Sequence, residues 1–327
     1  MKNIVIIGGG TGTFTLLSGL RKYPSNNTVI VSSADDGGST GVLRRDLGIF
    51  PPGDLRQCLV GLSYTDKQMT ELFSYRFEKG SLKGHTVGNI ILAALEKTTG
   101  NIETAVDLAA KLLNVRGSVL PASLKPGLLI AYLESGKRVV GEHNIDQPHF
   151  RRSRIKSLQL KPNTSANPKA MAALQEADAI VFGPGDLYTS IVPNLLVKGI
   201  REALGKSRAK KILITNIMTK AGQTDGFKAS DFARNLQKYL GVAKLNYAIV
   251  NNQKPSSKSI LAYKKENAKF VEPDVKQMER LGVKAHQAKL VSQVIYKKKT
   301  ADKLNRSLLR HDASKTAKLI WNLIHQS

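Results

Sequence analysis

The chain has 327 residues, of which 41% are hydrophobic, so it can bury the core of one large or two modest domains. Its single cysteine, Cys58, excludes an intramolecular disulfide and a thiolate metal cluster, and it fits a reducing, cytoplasmic location. No run of about 18 apolar residues is present, so membrane insertion is not expected.

The formal net charge is +25, and residues 254–327 carry 17 Lys/Arg against 6 Asp/Glu. A basic surface attracts nucleic acid, acidic lipid or anionic metabolites. The lysine runs lack interleaved aromatic residues, which argues against a nucleic-acid partner. A generally cationic solvated surface is the alternative explanation of the charge.

The first part of the chain predicts a β-α-β unit followed by helices. Residues 3–7 form an apolar run typical of a buried strand, and the glycine-rich loop GGGTGT follows. An amphipathic helix near 14–22 and a second strand over 28–33 complete the unit. Residues 54–113 repeat apolar side chains at spacings of three and four, which predicts a helical insertion.

Residues 117–160 change to a period of two, which predicts a small β-hairpin region. The strands LLIAYLES and RVVGEHNI would form the hairpin, and RIKSLQLKP a further strand. Asn167 then caps a helix that starts at Pro168. Three strands follow in the segments DAIVFG, KKILITNI and YAIVNN, each of them succeeded by a loop.

The last part of the chain is more polar. Between the second and third of these strands, after the loop AGQTDGF, a helix is expected to be capped by Ser230 or Asp231. Residues 253–259 are polar enough for a flexible connector, and an amphipathic helix over 316–325 closes the chain. Since ligands of open α/β sheets bind at the carboxyl ends of strands, the loops of both halves should converge on one cleft.

The loop GGGTGT, Gly8 to Thr13, has the context of a phosphate-binding turn between a strand and a helix. Gly8 and Gly10 meet the dinucleotide pattern G-x-G-x-x-G, but Thr13 replaces its last glycine. The loop therefore indicates a nucleotide more than it indicates NAD. A tight turn without a ligand is the alternative.

Asp35 and Asp36, in SSADDGGSTG, end the second strand, where a nucleotide-binding fold places the acid that holds ribose hydroxyls. One carboxylate would suffice for that task. Two, followed by Gly38 and Ser39, suit a divalent cation or several sugar hydroxyls. An Asp-Gly turn with a capping carboxylate is the structural alternative.

Two further motifs open helices. In PPGDLR, Asp54 is expected to cap a helix that begins near Leu55, and Arg56 could pair with a carboxylate or a ligand phosphate. In KGHTVGN, His85 and Asn89 are one helical turn apart. A purely structural histidine is the alternative here.

The second glycine loop, GPGDLYTSIVPN, follows a buried strand. Its glycines free the backbone, and Thr189 and Ser190 could donate hydroxyls to a ligand. In LLRHDASK, Arg310 could clamp a phosphate or a uracil carbonyl, unless the motif is only a charged helix cap. The motifs of serine hydrolases, P-loop ATPases and zinc proteases are absent from the sequence.

These motifs, with LFSYRF and NIMT…TDG between them, occur in the order found in the gluconeogenesis factor family (YvcK/CofD-like), which the chain resembles from about residue 3 to 320. The resemblance implies an α/β, Rossmann-like, three-layer α/β/α fold with a mainly parallel sheet, here as one domain over 1–327. One branch of the family moves a phospholactyl group from a guanosine diphosphate donor onto a deazaflavin alcohol, with magnesium. The other, which PPGDLR and GHTVGN favour, binds UDP-sugars and is linked to cell-wall synthesis, cell shape and carbon-source use.

The resemblance implies a nucleotide-sugar-binding regulator, with a magnesium-dependent transferase of the 2-phospho-L-lactate transferase type as the alternative. Mg²⁺, bound at Asp36, is the only cofactor it implies; a regulatory protein partner and a homodimer are compatible with it. Asp186 stands where the family usually has Ser, so a cation must screen it. The motifs and the resemblance together predict a ligand site made of Gly9, Gly10, Thr11, Gly12, Thr13, Asp35, Asp36, Gly38, Ser39, Asp54, Arg56, His85, Asn89, Gly183, Gly185, Thr189, Ser190, Asn216 and Arg310.

Overall fold

The computed structural model describes residues 1–148, 152–293 and 308–326. Part of the predicted basic C-terminal segment lies outside these ranges. The strands, in chain order, are β1 (Lys2–Ile7), β2 (Ser25–Val31), β3 (Ser118–Pro121), β4 (Leu128–Leu133), β5 (Arg138–Val140), β6 (Ile155–Lys161), β7 (Ala179–Phe182), β8 (Lys210–Ile214), β9 (Tyr247–Asn251) and β10 (Lys284–Ala288).

The helices surround these strands, and one π-helical turn, Leu187–Ile191, follows β7. None of the described helices is both long and apolar enough to cross a membrane. The α-helices are α1 (Gly10–Leu20), α2 (Gly38–Leu47), α3 (Pro52–Leu62), α4 (Lys67–Ser74), α5 (Val87–Thr99), α6 (Ile102–Leu112), α7 (Glu142–Asp146), α8 (Pro168–Glu176), α9 (Val192–Leu195), α10 (Ile200–Lys206), α11 (Ala229–Gln237), α12 (Ser257–Lys265), α13 (Val275–Arg280) and α14 (Ala313–His325).

Seven strands form one parallel sheet in the order β10-β9-β8-β7-β1-β2-β3. Along β1, Ile4 and Ile6 pack into one hydrophobic core, whereas Val5 and Ile7 pack into the other. Strand residues alternate between the two faces, so each face of the sheet has its own covering layer. The predicted α/β, Rossmann-like, three-layer fold is confirmed.

The sheet topology also determines where the loops predicted to bind a ligand lie. Strand β1 pairs with β2 on one side and with β7 on the other. The chain therefore reverses its strand order between β1 and β7, and the loops that follow them separate into a crevice there.

The helical insertion is confirmed as α3 to α6, but two predicted caps are wrong. Asp54 lies in the first turn of α3 because the helix already begins at Pro52. Helix α11 begins at Ala229, so Asp231 lies inside it, where its carboxylate accepts the backbone N–H of Lys228 at 2.9 Å.

Several element boundaries also differ from the sequence prediction. Helix α1 begins at Gly10, inside the predicted loop, and α12 begins at Ser257, inside the predicted connector. Strand β5 ends at Val140, because the rest of RVVGEHNI turns into α7. The hairpin itself is confirmed: β4 pairs antiparallel with β5 and with β6.

Candidate functional site

A cavity of about 600 Å³ opens at the carboxyl ends of the central strands, and loops from both halves of the chain line it. Most of the residues predicted for the site meet there. The predicted residues that line the cavity are Gly9, Gly10, Thr11, Gly12, Asp35, Ser39, Asp54, Arg56, Asn89, Gly185, Thr189, Ser190, Asn216 and Arg310.

The other predicted residues, Thr13, Asp36, Gly38, His85 and Gly183, lie around the cavity without lining it. Thr13 is fully buried in α1, and Gly38 is the first residue of α2. Gly183 directly follows β7, and its N–H donates to the Ile7 carbonyl at 3.0 Å. These residues support the loops that face the cavity.

The two glycine loops touch each other. A Cβ on Gly12 would overlap the carbonyl oxygen of Pro184, and a Cβ on Gly9 would overlap the carboxylate of Asp54. Gly10 has φ +70°, a left-handed conformation that glycine adopts readily. The first N–H groups of α1, which has no side-chain cap, are thus brought to the cavity, a suitable place for an anion.

A hydrogen-bonded network positions Arg56, which is buried. Its Nε donates to Asn89 Oδ1 at 2.9 Å, and Asn89 Nδ2 donates to Ser39 Oγ at 3.1 Å. His85 Nδ1 lies 3.1 Å from the same Ser39 hydroxyl, although His85 itself does not line the cavity. The histidine therefore contacts a residue of the lining rather than the cavity.

Asp35 and Asp36 have different surroundings. Asp35 lines the cavity and accepts the Gly37 N–H at 3.0 Å, and its burial raises the pKa of the carboxyl. Asp36 instead accepts the backbone N–H of His143 at 2.7 Å, at the start of α7. One carboxylate faces the cavity, and the other holds a neighbouring helix.

Helix α7 brings two acids that sequence reasoning missed. Glu142 and Asp146 both line the cavity. Burial, followed by the nearby charges of Asp146, Asp35 and Asp36, holds the pKa of Glu142 well above its ordinary value. Both acids lie far along the chain from the other motifs, in a segment that the pattern assigned to a strand and its turn.

Arg152 holds the other end of α7. Its guanidinium donates to the carbonyl of Asn144 at 3.1 Å and to the carbonyl of Ile145. A third N–H reaches the carbonyl of Gly222 at 2.7 Å. A carboxylate at the N-terminus and a cation at the C-terminus both agree with the dipole of a helix.

Lys220 screens Asp186, the carboxylate that departs from the family pattern. Its ammonium lies 2.6 Å from Asp186 Oδ2 and also pairs with Asp146. Thr189 adds a hydrogen bond to Asp146 at 3.2 Å. Burial alone would lower the pKa of Lys220, but the two carboxylates raise it above its ordinary value. We call Asp146, Lys220 and Asp186 the ion triad.

The motif RHD contributes to the lining of the cavity. Arg310 lines it, as do Tyr263 and Met218. His311 is buried and donates from Nε2 to the Thr215 carbonyl at 3.1 Å, and Asp312 caps α14 by accepting the Lys315 N–H. Arg310 and His311 both line the cavity, whereas Asp312 does not.

Among the described residues, no group of three or more His, Cys, Asp or Glu side chains could hold a metal ion. Magnesium commonly binds through one or two carboxylates together with ligand phosphates. Asp35 can supply one such carboxylate because it lines the cavity. The residues thus fit a magnesium ion held mainly by a ligand.

The surroundings of Asp36 lead to a first testable prediction. The change Asp36→Ala removes the acceptor for the His143 N–H, so the free energy of unfolding should fall by about 1 kcal/mol. Urea denaturation measures the loss. Asp36→Asn keeps an acceptor oxygen and should recover most of the stability; equal losses in both variants would contradict this role.

Comparisons with known proteins agree with the geometry. The family model described as 2-phospho-L-lactate transferase CofD matches residues 4–291. The gluconeogenesis factor of Bacillus subtilis is 40% identical over 325 residues, which cover 99% of this chain and 98% of that protein. The gluconeogenesis factor of Halalkalibacterium halodurans is 40% identical over 321 residues, which cover 98% and 95%.

A solved structure is similar over the same length. The crystal structure of a UPF0052 family protein from Bacillus halodurans superimposes with a TM-score of 0.90 at 40% sequence identity. The match covers 98% of this chain and 98% of that one.

Proposed function

The chain belongs to the CofD-like gluconeogenesis factor family, and from this premise we propose that it is a cytoplasmic nucleotide-sugar-binding regulator. Its ligand would be of the UDP-N-acetylglucosamine type, and its role would lie in cell-wall synthesis, cell shape and growth on gluconeogenic carbon sources. The observation that carries the proposal is that one cavity joins both glycine loops to Arg310.

The lining suits the three parts of such a ligand. Backbone N–H groups of the glycine loops would bind the diphosphate. Arg310, which lines the cavity as Tyr263 and Met218 do, would hold the base. Asp35 and the Arg56 network would bind sugar hydroxyls. A protein that senses the occupied cavity would be the regulatory partner.

A transferase is the second candidate, and the family model favours it by its description. In that case an acceptor hydroxyl would attack the phosphorus of a nucleotide-linked donor. Asp35, whose pKa burial raises, would take the hydroxyl proton. The phosphorus–oxygen bond to the nucleoside monophosphate would break. Magnesium, when bound, would neutralise charge on the donor's phosphates.

Calorimetric titration with UDP-N-acetylglucosamine, GDP and NADPH, each with and without magnesium, tests the proposal. Selective binding of the UDP-sugar in the micromolar range would support the regulator. Preference for GDP in the presence of magnesium would favour the transferase, and product formation that depends on donor, acceptor and magnesium would establish it. Binding of none of the three would overturn the proposed ligand class.

Arg310 provides a second, sharper prediction. Arg310→Gln should weaken UDP-N-acetylglucosamine binding by roughly tenfold or more, because a charge-assisted contact at a desolvated position contributes about 1.5–3 kcal/mol. Arg208→Gln, an exposed arginine outside the cavity, is the matched control and should bind as the wild type does. Equal affinities of the two variants would remove Arg310 from the ligand site.

A further inference from the structure

All three residues of the ion triad line the cavity. We propose that Asp186 and Lys220 make this site select diphosphate diesters, such as nucleotide sugars, over free nucleoside diphosphates. This inference rests on the proposed function, because it concerns the ligand of the same cavity. It assigns specificity to Asp186 of the second glycine loop and to Lys220, which pairs with it.

The first step is the place of Asp186. Its backbone carbonyl accepts the N–H of Ser190 at 2.8 Å, so the residue begins the π-helical turn of the second glycine loop. Asp186 and Gly185 both line the cavity. A loop that resembles an anion-binding turn therefore carries a carboxylate at its centre.

The second step is the state of Lys220. A lysine at a phosphate site usually supplies an uncompensated positive charge. Here two carboxylates flank the ammonium, Asp186 Oδ2 at 2.6 Å and Asp146 on the other side. With both carboxylates ionised, the triad contributes a net charge of about −1. Lys220 therefore offsets the charge of Asp186 but leaves no positive charge that would attract an additional negative charge on the ligand.

Outside the ion triad, the charged lining residues that the structure describes are four acids and four bases, although the whole chain is strongly basic. Acids and bases are nearly equal in number around the cavity, and His311 is neutral because burial lowers its pKa to about 4. The charged lining residues are the acids Asp35, Asp54, Glu142, Asp146, Asp186 and Glu266 and the bases Arg56, Arg76, Lys220, Lys265 and Arg310.

The third step concerns the ligand. In a nucleotide sugar each phosphate has one ester bond and shares the anhydride bridge to the other phosphate, so each carries one negative charge. In a free nucleoside diphosphate the terminal phosphate carries close to two charges at neutral pH. The extra charge would lie near Asp186 in a partly desolvated site, where repulsion is stronger than in water. We expect this to reduce the affinity for the free diphosphate by roughly tenfold.

The experiment is a titration of UDP and UDP-N-acetylglucosamine, without magnesium and with EDTA, into wild type, Asp186→Asn, Lys220→Gln and the double variant. UDP also lacks the contacts that the sugar makes, so affinities for the two ligands are not compared directly. The readout is the change, between proteins, in the ratio of the dissociation constant of UDP to that of UDP-N-acetylglucosamine. Asp107→Asn, which removes an exposed carboxylate outside the cavity, is the matched control. Denaturation curves of each variant verify that it folds.

Asp186→Asn should tighten UDP binding by roughly tenfold and change UDP-sugar binding less, which lowers the ratio. Lys220→Gln should weaken both ligands, UDP more strongly, and the double variant should return the ratio toward the wild-type value because the net charge is restored. Asp107→Asn should leave the ratio unchanged.

Other outcomes separate this inference from the proposed function. If the wild type binds the UDP-sugar but Asp186→Asn changes the ratio less than about twofold, the triad has no role in specificity while the proposed function stands. If Asp186→Asn binds UDP and the wild type binds neither ligand, charge exclusion is supported and the UDP-sugar function fails. If neither protein binds either ligand, both proposals are overturned.

Discussion

Gly12→Ala should abolish ligand binding and lower the free energy of unfolding by about 1–3 kcal/mol, a typical cost of overpacking. The new Cβ would overlap the carbonyl oxygen of Pro184, which belongs to the backbone of the second glycine loop and cannot rotate away. The two loops must then separate, and the N–H groups of both leave the positions that face the cavity. Urea denaturation and calorimetric titration with UDP-N-acetylglucosamine measure the two effects.

This expected loss of stability is opposite in sign to the change that helix propensity alone predicts. Gly12 lies within α1, where alanine would ordinarily stabilise the helix by up to about 1 kcal/mol. Gly205→Ala in α10 is the matched control, because its Cβ would meet only the side chain of Val242, which is 84% exposed and can move. We expect that control to be neutral or stabilising. A Gly12→Ala protein as stable as the control, with unchanged binding, would contradict the close packing of the loops.

The central strands were predictable because each is a short apolar run with loop residues at its end. The two edge strands of the parallel sheet, β3 and β10, were not foreseen. Residues of β10 are mostly polar and partly exposed, as befits an edge strand, so they lack the hydrophobic signal of β1 or β7. Hydrophobic pattern thus identifies the middle of a parallel sheet better than its margins.

The glycine loops of the candidate site were predictable for a local reason: each follows a strand and precedes a helix. The positions of Glu142 and Asp146 depend instead on the three-stranded antiparallel sheet, on Asp36 and on Arg152, which together fix α7. No spacing in the sequence reports such tertiary contacts. The carboxylate of Asp186 in a glycine loop predicted a nearby cation, but only the structure identifies that cation as Lys220.

His311 should make the stability of the protein depend on pH between about 6.5 and 4. Burial lowers the pKa of His311 from 6.5 to about 4, and the hydrogen bond to the Thr215 carbonyl opposes this only in part. Above pH 6.5 the imidazole is neutral in both the folded and the unfolded chain. As the pH falls below 6.5, the unfolded chain binds a proton that the folded chain does not, so stability is lost progressively until the pH reaches about 4.

At pH 5 the expected loss from this one group is about 2 kcal/mol, since each pKa unit corresponds to about 1.4 kcal/mol. Urea denaturation of the wild type and of His311→Gln at pH 7.5 and pH 5 measures it. Glutamine can still donate to the Thr215 carbonyl but does not titrate, and the carboxylates common to both proteins cancel in the comparison. The wild type should therefore lose about 2 kcal/mol more than the variant on acidification. Equal losses would show that His311 is not held neutral in the folded protein.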